Sequence, residues 1–156
     1  MAAPTGMEDR DGLERAYKAD VGLYDAGDTL YIAGTRDLGD WYDDLKIPFQ
    51  ATDKSWRQRE ATMVLDAKPQ LTRVVGHSLG GAVALDLQKR RPALHSVTYG
   101  APVLNFNPFV HSERYRHLGD PVSAFDWGAE SWLPPKGGHP HAYQDLAARW
   151  HEFPVV

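Results

Sequence analysis

The chain has 156 residues, 42% of them hydrophobic, enough for one compact domain with a core of its own but little for a second. A formal net charge of −4, with basic residues scattered through the sequence, gives no footprint for nucleic acid or for an anionic membrane surface. The absence of cysteine excludes disulfides, thiolate metal sites and thiol catalysis.

Residues 1 to 11 are small and polar and are expected to be disordered, which leaves 12–156 as a single domain. No apolar stretch has signal-peptide or membrane-span length, so a soluble cytoplasmic product without a transmembrane segment is the default expectation. Leu13 to Leu23 suits a short amphipathic helix, ended by turn residues from Tyr24 to Asp28. Thr29-Leu30-Tyr31-Ile32-Ala33 has the apolar, β-branched and aromatic content of a buried strand, ending at Gly34-Thr35. After a connection over residues 46–55, Trp56 to Lys68 has helical character with mixed faces from Trp56, Met63 and Val64, closed by Pro69.

The most informative stretch is Val74-Val75-Gly76-His77-Ser78-Leu79-Gly80-Gly81-Ala82-Val83-Ala84. Its G-x-S-x-G core follows a strand-like run from Leu71 and precedes a helix over 82–91 that has a cationic last turn and stops at Pro92. Strand, sharp turn and helix make a nucleophile elbow, in which the flanking glycines permit close approach and leave the serine on a strained turn. Further strands are expected at Leu94–Tyr99 and Arg114–Leu118, followed by a Gly-, Pro- and Trp-rich loop over 127–140 and a helix over 142–152. Alternating strands and helices imply an α/β fold with a mostly parallel sheet flanked by helices.

Serine is a weak nucleophile near neutral pH unless a histidine takes its proton and an acid orients that histidine. In α/β-hydrolase sheets the chain order is serine, acid, histidine. Asp120, in Gly119-Asp120-Pro121 just past an expected strand, is the preferred acid, with Asp126 as the fallback. His139 and His141 flank Pro140 on the late loop; His141, next to a helix, is the preferred base and His139 the fallback. His95 and His117 fall within strands, and His77 beside the serine is expected to pack next to the site. The oxyanion of an acyl-transfer intermediate needs two donors: the amide of Leu79, which follows the serine, and one from the loop after an earlier strand, where Thr35 stands. A zinc site at His139 and His141 has no supporting ligand spacing, and the Gly-rich segments lack a P-loop lysine and a dinucleotide fingerprint. No metal and no cofactor is therefore expected.

Four ordered motifs together resemble the class 3 lipases, the fungal triacylglycerol lipase-like α/β-hydrolases. They are Gly34-Thr35 with Asp40-Trp41 and Asp44-Leu45, the elbow Gly76 to Ala82, the strand end Thr98 to Pro102, and Arg116 with Asp120-Pro121-Val122. The resemblance implies a minimal α/β-hydrolase with Ser78, Asp120 and His141 as triad and Thr35 and Leu79 as oxyanion hole. It implies a serine ester hydrolase of lipase or phospholipase type without a large lid, open to a small ester, a lysolipid or an exposed acyl chain. Trp127, Trp132 and Leu133 offer peripheral lipid contact, and the sheet edge left by missing early strands offers a route to a homodimer. Two other functions remain open: acyl transfer by the same triad, and a catalytically inactive lipase-like module that binds lipid or protein.

Overall fold

The computed structural model describes residues 6–34, 51–102, 112–117 and 129–132. Its elements in chain order are α1 (Gly6–Lys18), β1 (Leu23–Asp25), β2 (Thr29–Ile32), α2 (Ala51–Ala67), β3 (Arg73–His77), α3 (Leu79–Arg90), β4 (His95–Tyr99), β5 (Ser112–His117) and β6 (Glu130–Trp132). The fold is α/β. One sheet has the order β1-β2-β3-β4-β5-β6, in which β2 to β6 are mutually parallel and only β1 is antiparallel to its neighbour.

The β1–β2 hairpin follows from its turn residues. Asp25 accepts the Gly27 amide through Oδ1 at 2.8 Å, an Asx turn, and Gly27 adopts φ 98, which glycine tolerates without strain. The remaining strands add in one direction, pairing Ile32 with Gly76, His77 with Tyr99 and Tyr99 with Tyr115. Crossovers of one hand between strands added in one direction put α2 and α3 on the same face. Accordingly α2 and α3 pack together, with Leu30, Ile32 and Val74 meeting Ala61, Leu65, Val83, Ala84 and Leu87. The alternate strand residues Tyr31, Ala33, Val75 and Val97 face the other way and meet Leu13 and Ala16 of α1. Both faces of the central strands are thus covered, as a parallel sheet requires.

Residues 6–11, expected to be disordered, form the first turns of α1. A charged contact far along the chain makes the difference. Asp9, fully buried, accepts two hydrogen bonds from the Arg73 guanidinium, at 2.7 and 2.8 Å, and one from the Tyr99 hydroxyl at 2.7 Å. Burial works against the Arg73 charge, yet the bonds and charge of Asp9 hold its pKa above the usual value. The expected helix over 13–23 accordingly stops at Lys18, and Leu23 belongs to β1. Likewise α2 begins five residues before Trp56 and turns Ala61 and Leu65 inward, leaving Trp56 and Met63 exposed. Within the stretch read as a loop over 127–140, Glu130–Trp132 pairs with β5 as β6. Among the described residues no helix is long and apolar enough to cross a membrane.

Candidate active site

β3 ends at His77, α3 starts at Leu79, and Ser78 alone makes the turn between them. Its backbone has φ 55 and ψ −126, and it is the one non-glycine residue with positive φ among the described residues. This conformation is the first central position of a type II′ turn, a place normally given to glycine. Holding a serine there costs on the order of 1–3 kcal/mol and persists only where the surroundings over-determine it.

Those surroundings are visible. The Ser78 amide donates to the Tyr99 carbonyl at 3.0 Å, and the Ser78 carbonyl accepts from Gly81 at 2.9 Å. A Cβ on Gly76 would come within 2.1 Å of the Gly80 carbonyl oxygen, and one on Gly80 within 2.1 Å of that of Ile32. Both positions therefore require glycine for β3, α3 and β2 to approach as closely as they do. Ser78 caps α3 without a side-chain capping bond, so its hydroxyl is not spent on the helix. The Leu79 amide, first in the helix, has no carbonyl partner among the described residues, as helix geometry dictates, and lies at the positive end of the helix dipole.

The end of β2 forms a second wall. A Cβ on Gly34 would fall 2.9 Å from the Ser78 Cβ and 2.9 Å from the His77 carbonyl oxygen. The Gly34 amide donates to the Tyr17 hydroxyl at 3.0 Å, and the same hydroxyl lies 2.6 Å from Nδ1 of buried His77.

Comparison of the chain with protein-family models, with curated proteins and with solved structures gave no match.

Of the residues singled out in the sequence, Ser78 and Leu79 stand together at the elbow, both buried. Thr35, Asp120, Asp126, His139 and His141 lie outside the described residues, as do Trp127 and Leu133. His77 packs beside the serine as expected, and its bond to Tyr17 explains how a polar ring is accommodated there. His95 pairs with Glu113 at 2.9 Å on the neighbouring strand, and His117 is buried in β5. Reading the sequence missed Tyr17 as a neighbour of the site. The available signal was its place on the stripe Asp9, Leu13, Ala16, Tyr17, the i, i+4, i+7, i+8 face of one helix.

Proposed function

We propose that the chain is a serine carboxylic-ester hydrolase of the lipase or phospholipase type, built as a minimal α/β-hydrolase similar to the class 3 lipases. The observation that carries this reading is the φ 55, ψ −126 conformation of Ser78 between a parallel strand and a helix. A structural serine has no need of that strain, whereas a nucleophile gains from it, because the turn frees the hydroxyl from both elements.

In this mechanism Ser78 attacks the ester carbonyl and the Leu79 amide stabilises the oxyanion that forms. The Gly34 amide is engaged by Tyr17, so the second donor is the next amide, that of Thr35. Asp120 orients His141, which takes the serine proton and returns it to the leaving alcohol; water then resolves the acyl-enzyme. The direction of the sheet supports this assignment. Chain leaving β3, β5 and β6 exits at the carboxyl ends of these parallel strands, the end of a parallel sheet at which sites form. Ser78 is the first residue after β3, Asp120 follows the end of β5 by three residues, and His141 follows that of β6 by nine.

The test is labelling by a fluorophosphonate and hydrolysis of short p-nitrophenyl esters. Wild type is expected to do both and Ser78→Ala neither. Equal activity in the two proteins overturns the proposal.

A further inference from the structure

We infer that Tyr17 is a positioning residue for this reaction, fixing the backbone wall at Gly34 against the nucleophile; the inference rests on the hydrolase reading above. Three segments distant in sequence meet at its hydroxyl. Gly34, two residues past the end of β2, donates its amide to Tyr17 Oη at 3.0 Å, and Nδ1 of His77, next to the nucleophile, lies 2.6 Å away. A phenol has one hydrogen and two lone pairs, so it can accept from Gly34 and still share a hydrogen with Nδ1 in either tautomer. Tyr17 Oη is also the atom nearest to where a Gly34 Cβ would sit, at 2.8 Å, with His77 O and Ser78 Cβ each 2.9 Å from the same point. The hydroxyl therefore sets the distance between two walls that both border Ser78.

Helix α1 is anchored so that it can do this. Asp9 binds Arg73 at the start of β3, and Tyr17 binds His77 at its end. Eight residues of helix rise about 12 Å and four residues of strand about 13 Å. The helix thus lies along the strand, pinned at one end by a buried ion pair and ending in a hydroxyl at the elbow. Tyr17 is too committed to these backbone and ring partners to act as the general base. Its effect reaches the reaction through the position of Gly34 and of the chain that leaves it. Donors aimed at a developing oxyanion act on charge present only in the transition state, so their misplacement lowers kcat and leaves KM largely alone.

The experiment measures kcat, KM and thermal midpoint with p-nitrophenyl butyrate for wild type, Tyr17→Phe, His77→Asn, His77→Leu and Tyr17→Phe/His77→Leu. Tyr17→Phe keeps the ring and removes the hydroxyl. It is expected to lower kcat about 10- to 50-fold, below the roughly 100-fold or greater loss of a whole oxyanion donor, with KM within about twofold. His77→Asn places an amide atom near the position of Nδ1 and should retain more kcat than His77→Leu. The double variant should be no worse than the weaker single one, since both remove the same bond. A wild-type kcat in Tyr17→Phe, losses that multiply, or a kcat loss that only tracks a fall in thermal midpoint overturns the role of Tyr17 and leaves the hydrolase reading standing. A wild type without Ser78-dependent hydrolysis overturns both.

Discussion

Strain at the elbow makes a prediction about stability that is independent of any substrate. Ser78→Ala removes the hydroxyl but keeps a Cβ at φ 55, so it keeps the strain. Ser78→Gly removes both. The relieved backbone energy is on the order of 1–3 kcal/mol, and the extra freedom of glycine in the unfolded chain takes back about 0.4–1 kcal/mol. The glycine variant should therefore be more stable than the alanine variant by about 0.5–2 kcal/mol. For a domain of this size each kcal/mol moves the thermal midpoint by about 2–4 °C, so the gap is about 1–8 °C. Calorimetry and urea unfolding of the two variants measure it directly, and both should be without hydrolytic activity. Comparing the variants with each other cancels the loss of the hydroxyl, which a comparison with wild type would include. If Ser78→Gly unfolds at or below the midpoint of Ser78→Ala, the turn stores no strain, and the main support for a nucleophile at Ser78 is lost.

The buried pair of α1 and β3 should be costly to break from one side. Asp9→Asn leaves the Arg73 guanidinium, about nine-tenths buried, without its carboxylate, and urea unfolding should show a loss of about 3–5 kcal/mol, whereas Asp9→Leu/Arg73→Met should lose much less because no charge is stranded. Alkali should act on the same cluster. Burial first, then the neighbouring Asp9 charge, raise the pKa of Tyr31 and Tyr99 above the ordinary value near 10. Above that value the unfolded chain releases phenolic protons that the folded protein retains, so stability present at neutral pH falls as pH rises past about 10, by about 1.4 kcal/mol per pH unit for each tyrosine. Urea midpoints taken from pH 8 to pH 11 should decline, and Tyr31→Phe should decline less steeply; parallel curves would refute this assignment.

What could be read from the sequence and what could not divide along a physical line. The strands β2, β3 and β4 and the helix α3 carry their signals locally, in runs such as Leu30-Tyr31-Ile32 and in the glycines around Ser78, so their positions follow to within a few residues. The first turns of α1 carry no such signal. Glu8-Asp9-Arg10-Asp11 reads as a solvated segment until Arg73, 64 residues later, supplies the partner that makes burial of Asp9 favourable. β6 is three residues long, too short for a period to show, and becomes a strand only beside β5. The same division runs through the candidate site. The G-x-S-x-G pattern names the serine because its residues are contiguous in the sequence, but the contacts that hold the strained turn are not: the Tyr99 carbonyl on the Ser78 amide, Ile32 against Gly80, and Gly34 against the Ser78 Cβ. A strained residue needs surroundings that cannot relax, and here they come from β4 and from β2 with the residues that follow it. The first helix completes that enclosure. Its ion pair at one end and its tyrosine at the other tie a helix whose first turns the sequence does not announce to the elbow that it announces most clearly, so a change at Asp9 should reach Ser78 through the placement of Tyr17.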